Sequence, residues 1–152
     1  MSASVDLPSE HDTLSFAQRI APHLAAGDFI ALYGDLGAGK STFARALIRA
    51  LCEDESLEVP SPTFTLVQTY EGPQYPIFHF DLYRIETLDE LAELGFEETI
   101  DGLAVVEWPQ RMQEELPRHR LDIRLEFASE GRRAILFAHG EGWSRRVADI
   151  VS

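Results

Sequence analysis

Apolar residues along this chain fall into short blocks separated by polar turns, and the period of the blocks changes from helical to extended and back. Residues 9–26 set Leu14, Phe16, Ala17, Ile20 and Leu24 on one stripe at helical spacing, which predicts an amphipathic helix. Thr13 or Asp12 is expected to cap its start, and Pro22 to kink or split it. Gly27-Asp28 closes that segment, and the five apolar or aromatic residues from Phe29 to Tyr33 read as a buried strand. A glycine-rich turn follows, then good helix formers from Thr42 to Leu51 and the charged loop CEDESLEV. Segments 65–70 and 76–82 are rich in β-branched and aromatic residues and flank the turn Glu71-Gly72-Pro73-Gln74, which predicts an antiparallel hairpin. Residues 86–101 read as a helix, with Leu88, Leu91 and Leu94 on its apolar face, Thr87 as N-cap and Gly95 as stop. Leu103 to Trp108 is an apolar strand carrying Glu107 near its end, and Pro109 can start a short helix through Glu115. Arg120–Phe127 alternates inward Leu121, Ile123 and Leu125 with polar residues and is followed by the strand-like Ala134–His139. Residues 143–151 form a short terminal helix with Val147, Ile150 and Val151 inward.

The junction between the first strand and the helix after it carries the chemistry. Gly34-Asp35-Leu36-Gly37-Ala38-Gly39-Lys40-Ser41 fits G-x-x-x-x-G-K-[ST], in the strand–turn–helix context that a phosphate-binding P-loop requires. Its glycines let successive N–H groups face one concavity, and the helix N-terminus aims its dipole and unpaired N–H groups at the same anion. Lys40 adds a charge for the β- and γ-phosphates, and the Ser41 hydroxyl can bind Mg²⁺. Lys40 is also the one lysine in a chain with twelve arginines. The fold class expected is therefore α/β, a P-loop NTPase-like mixed sheet flanked by helices with antiparallel strand additions. A single domain is expected to span residues 1–152.

Three further segments are candidates for the same site. Ser61 and Thr63, stiffened by Pro60 and Pro62, read either as a turn leading into a strand or as a switch loop near the γ-phosphate. Asp81 lies near the end of an apolar strand, where a carboxylate is costly unless it faces water or a cation. His79 alternates with it on the same face, as a packed or hydrogen-bonded histidine. In P-loop proteins an acid at the tip of a hydrophobic strand holds Mg²⁺ or polarises the attacking water, and Glu107 has that position.

The formal charge of −13 is uneven: residues 1–108 hold 5 basic and 19 acidic groups, whereas residues 109–152 hold 8 and 7. That balance excludes a general electrostatic grip on nucleic acid and points to a protein partner for any nucleic-acid role. The seven acids and no base of residues 86–101 leave open a solvated helix or an acidic docking surface. No apolar run reaches the roughly 18 residues of a membrane span, the N-terminus lacks secretory-signal character, and the single Cys52 suits a reducing cytosol. A guanine-reading N-K-x-D motif is absent, which favours ATP over GTP, and no L-S-G-G-Q signature is present.

Taken in order, YGDLGAGKST, SPTFTLV, HFDLYR, ELGFEE and VVEWPQR closely resemble the bacterial TsaE (YjeE) family over roughly residues 10 to 140. The resemblance implies a Mg²⁺-dependent cytoplasmic ATPase serving N6-threonylcarbamoyladenosine formation at tRNA position 37. It implies partners of the TsaD type, a threonylcarbamoyltransferase, and of the TsaB type, its paralogue, with tRNA met only through that complex. By motif match, Asp35, Leu36, Gly37, Ala38, Gly39, Lys40, Ser41 and Thr42 hold phosphates, with Thr63 in the switch-like segment and Trp108 beside the nucleotide. Ser41, Asp81 and Glu107 are the metal set; Lys40, Asp81 and Glu107 are the catalytic set, with either acid positioning water. Arg84, just behind Asp81, is a candidate interface or finger residue. A P-loop small-molecule kinase and a nucleotide-dependent binding module are the alternative functions.

Overall fold

Strands Phe29–Tyr33 (β2) and Leu103–Glu107 (β5) are apolar on both faces, so they must lie inside a sheet covered on both sides. The computed structural model, which describes residues 2–152, places them side by side and parallel. Pro76–Asp81 (β4) runs parallel to β5 on one flank, and Arg120–Phe127 (β6) runs parallel to β2 on the other. Antiparallel strands complete both edges. Val67–Glu71 (β3) pairs with β4 as the expected hairpin, and Arg132–His139 (β7) pairs with β6. Ser2–Leu7 (β1) pairs antiparallel with β7, giving a seven-stranded sheet in the order β1-β7-β6-β2-β5-β4-β3. β1 is not among the expected elements, although Ser2–Leu7 alternates polar and apolar residues at strand period, with Ala3, Val5 and Leu7 packed inward.

Alternate residues of the central strands feed two cores. Ile30, Leu32, Val105, Leu121 and Ile123 face Glu10–Ile20 (α1), Lys40–Leu51 (α2) and Glu141–Val151 (α4). Phe29, Ala31, Ala104 and Val106 face the opposite way, toward Leu91 of Leu88–Ala92 (α3), and toward Ile85 and Met112. α1 is capped by Ser9, which accepts from the Asp12 N–H at 3.3 Å while Asp12 accepts from the Ser9 N–H at 3.0 Å. The cap is thus Ser9 and not the expected Thr13 or Asp12: Asp12 serves as the reciprocal partner at N3, and Thr13 is buried. Pro22 splits the segment as anticipated: α1 ends at Ile20, and Ala21–His23 tightens into a 3₁₀ turn.

The helix expected over residues 86–101 does not run through. α3 is capped by Thr87 but stops at Ala92, Gly95 takes φ +75°, and Phe96–Asp101 forms a separate 3₁₀ segment. Like charges repeating at three- and four-residue spacing, Glu86-Glu90-Glu93-Glu97, oppose a continuous helix, and Gly95 ends it. The break lets Phe96 stack on Phe80 at 4.1 Å. Among the described residues no helix is long and apolar enough to cross a membrane.

Candidate functional site

The motif loop leaves the end of β2 and enters α2 with Gly39, at φ +105°, in the N-cap position. The loop-forming amides and the first turn of α2 therefore gather at the carboxyl ends of the parallel strands, where open α/β sheets bind ligands. β4 and β5 end at the same rim. Their parallel register sets Asp81 opposite Glu107, both on the face of the sheet turned toward α2.

Lys40 is buried and its ammonium is folded back: it donates to the Gly34 carbonyl and lies 3.8 Å from the centroid of the Trp108 ring. Burial pushes its pKa below the ordinary lysine value, against the opposing pull of Glu107, Asp81 and Asp35. The Ser41 hydroxyl donates to Glu107 Oε1 at 3.0 Å, and His79 Nε2 lies 2.6 Å from Glu107 Oε2. Asp81 accepts from the Thr63 hydroxyl at 3.1 Å and from the Tyr83 backbone N–H at 3.0 Å. Thr63 is in turn 2.7 Å from the Ser61 hydroxyl, so the proline-flanked segment reaches the site as a loop and not as part of β3. Asp81 and Glu107 are both buried.

The residues singled out in the sequence converge. Asp35, Leu36, Gly37, Gly39, Lys40, Ser41, Thr42, Thr63, Asp81, Glu107 and Trp108 line one cleft of about 330 Å³. Ala38 lies just beneath it, buried, with its N–H donating to the Asp35 carbonyl. Trp108 adopts φ +58°, in a left-handed conformation unusual for a bulky residue. That turn reverses the chain directly after Glu107, and the indole lies over Lys40. Arg84 is exposed and stands over the Phe64 ring at 5.0 Å instead of entering the cleft.

Three contributions escape the sequence reading. His79 is the hydrogen-bonded histidine expected on the Asp81 face, but its partner, Glu107 on the neighbouring strand, is not foreseen. A second cleft of about 270 Å³ adjoins the motif, sharing Gly37, Gly39 and Thr42 with the first and adding Thr13 and Arg132. Arg132 donates to the Gly37 carbonyl at 3.1 Å and stacks on Phe127. No local pattern marks it, because β7 meets the loop only in the folded sheet.

The family model described as threonylcarbamoyl adenosine biosynthesis protein TsaE matches residues 7–135. Proteins named tRNA threonylcarbamoyladenosine biosynthesis protein TsaE align over most of the chain. That of Bacillus subtilis is 38% identical over 128 residues, 83% of this chain and 78% of its own. That of Aquifex aeolicus is 43% identical, over 70% of this chain and 77% of its own. That of Rickettsia bellii is 37% identical, over 88% and 92%. The crystal structure of Bacillus subtilis YdiB superposes with a TM-score of 0.77 at 27% identity, covering 99% of this chain and 93% of that one. With a matching model over most of its length and relatives of this similarity, the chain belongs to the TsaE family.

Proposed function

We propose that this chain binds ATP with Mg²⁺ and hydrolyses it, as the ATPase of N6-threonylcarbamoyladenosine formation at tRNA position 37. It acts in the cytoplasm with TsaD-type and TsaB-type partners and meets tRNA only through them. The relatives' names supply the pathway. The observation that carries the chemistry is the Ser41–Glu107 contact of 3.0 Å at the end of a glycine loop whose Lys40 is buried beside it.

The Ser41 hydroxyl and the Asp81 and Glu107 carboxylates are all hard oxygen donors, which suit Mg²⁺. Among the described residues no group of three or more His, Cys, Asp or Glu side chains is arranged to hold a metal unaided. That too fits, because Mg²⁺ is usually held by one or two carboxylates together with substrate phosphates and water. When bound, the ion supplies positive charge against the β- and γ-phosphates.

The chain's own groups do the rest. Loop amides 37–42 and the α2 N-terminus cradle the phosphates, and the second cleft, floored by Thr13 and flanked by Arg132, receives the nucleoside. Lys40 exchanges the Gly34 carbonyl for phosphate oxygens. Asp81 or Glu107 orients the attacking water, and Trp108 shields Lys40 from solvent. The test is tRNA modification reconstituted with the two partner subunits, comparing wild type with Lys40→Ala. Loss of multiple-turnover modification together with loss of ATP hydrolysis is expected. Unchanged modification by Lys40→Ala refutes the reading.

A further inference from the structure

His79 is almost completely buried, at 2% exposure, yet its ring has one polar partner, the Glu107 carboxylate. Among the described residues nothing partners its buried Nδ1. Filling space alone needs no polar atom, and an apolar side chain would do it without burying a ring nitrogen. The arrangement makes sense if the imidazole is there for Glu107. Nε2 at 2.6 Å from a carboxylate oxygen must carry the hydrogen, because two lone pairs at that distance repel.

Both carboxylate oxygens of Glu107 are therefore held, and by different kinds of residue. Oε1 takes the Ser41 hydroxyl, which belongs to the metal set, and Oε2 takes His79, which does not. We infer that His79 is a positioning residue: it clamps Oε2 so that only Oε1 of Glu107 is presented to the nucleotide–metal site when Ser41 lets go. This rests on the ATPase reading above. His79 itself touches neither the phosphates nor the ion. Residues that orient a metal-binding side chain commonly contribute 10–100-fold to metal affinity or activity, roughly the effect expected here.

Two measurements on the full-length protein test it. The first needs no hydrolysis: long-range ¹H–¹⁵N correlation spectra of the nucleotide-free protein should show His79 with hydrogen on Nε2. Nε2 without a hydrogen overturns the proposal. The second compares His79→Leu, which keeps bulk and removes the donor, with His79→Gln, whose amide N–H reaches a similar point. His79→Leu should raise the Mg²⁺ concentration for half-maximal ATP turnover and slow turnover about 10–100-fold. ATP binding measured with the metal chelated should stay as in wild type, and His79→Gln should recover most of the loss. A folded His79→Leu protein with wild-type Mg²⁺ dependence and rate overturns the proposal. So does His79→Gln as impaired as His79→Leu at equal thermal stability. If His79→Leu does not fold, the His79→Gln Mg²⁺ dependence decides alone: near wild type supports the clamp, and a 10-fold or larger rise overturns it. A wild-type chain that hydrolyses no ATP would instead sink the ATPase reading, and the tautomer spectrum would still judge the clamp.

Discussion

Gly34 and Gly39 look equivalent in the motif, but the structure gives them different work, and alanine at each should separate the two. Gly34 has φ +149°, and a Cβ there would stand 2.6 Å from the Leu125 carbonyl oxygen and 3.2 Å from Ala38 Cβ. Leu125 is in β6, which is bonded to β2 and β7, so that oxygen cannot retreat without moving the sheet. Gly39 has φ +105°, and its nearest neighbour would be Arg132 Cγ at 4.0 Å, an ordinary contact with a flexible side chain. Both alanines carry left-handed strain of about 1–2 kcal/mol. Gly34→Ala adds overpacking of about 1–3 kcal/mol, for a total of about 2–5 kcal/mol. At this chain length each kcal/mol shifts Tm by about 2–4 °C. Thermal unfolding should therefore drop by roughly 10 °C for Gly34→Ala and roughly 4 °C for Gly39→Ala. ATP affinity, read by calorimetry, should fall for Gly39→Ala although its fold persists, because the loop amides can no longer share one concavity. A Gly34→Ala protein as stable as Gly39→Ala would mean that the β6 backbone yields freely to the loop and that no clash sets the two positions apart.

Other perturbations have equally definite outcomes. Arg146 clasps Asp28 with contacts of 2.6 and 3.1 Å, donates to the His23 carbonyl and stands 3.6 Å over Trp143, tying α4 to the start of β2. Arg146→Ala should cost about 2–3 kcal/mol in urea unfolding, and a double-mutant cycle with Asp28→Ala should show coupling; strict additivity would dissolve the pair. Ser9→Ala removes a reciprocal cap and should cost about 1 kcal/mol, with Asp12→Ala adding little on top; two independent, additive losses would contradict the capping box. The lowered pKa of Lys40 has a definite sign: just below 10.5 the unfolded chain still holds a proton that the folded chain has released. Stability from this group is thus present above 10.5 and declines as pH falls through the lowered folded value; Lys40→Met should flatten that alkaline slope, and an unchanged slope would place the titration elsewhere.

What could be read from the chain alone followed from how local each signal is. Phe29–Tyr33 and Leu103–Glu107 announce themselves because a strand buried on both faces has to be apolar throughout. The 67–81 hairpin is equally local, a turn between two β-rich runs. β1 is local too, since SASVDL alternates polar and apolar residues at strand period, but its small Ser and Ala side chains make the signal faint beside the apolar strands, so it is not among the expected elements. Residues 86–101 show the opposite failure. Leu88, Leu91 and Leu94 have helical spacing, but repulsion among the acids and the Gly95 turn outweigh it, and Leu88 ends 46% exposed.

The site follows the same division. Glu107 is legible because an apolar run ends on it, and Asp81 because a carboxylate in an apolar strand needs a reason. Their juxtaposition is not legible, since it depends on the β4–β5 register that sets one opposite the other. Two buried carboxylates on neighbouring strands repel, and each is stabilised by its own donors from distant segments. Thr63 and the Tyr83 N–H serve Asp81, and Ser41 and His79 serve Glu107. All four donors can serve as neutral groups, so they satisfy the oxygens without cancelling the charge. The nearby cation, Lys40, is turned to the Gly34 carbonyl and the Trp108 ring instead of to either acid. Among the described residues Lys40 makes no salt bridge, although both acids pull on its charge; the Mg²⁺ and ATP proposed above would give the acids and the lysine partners of opposite charge.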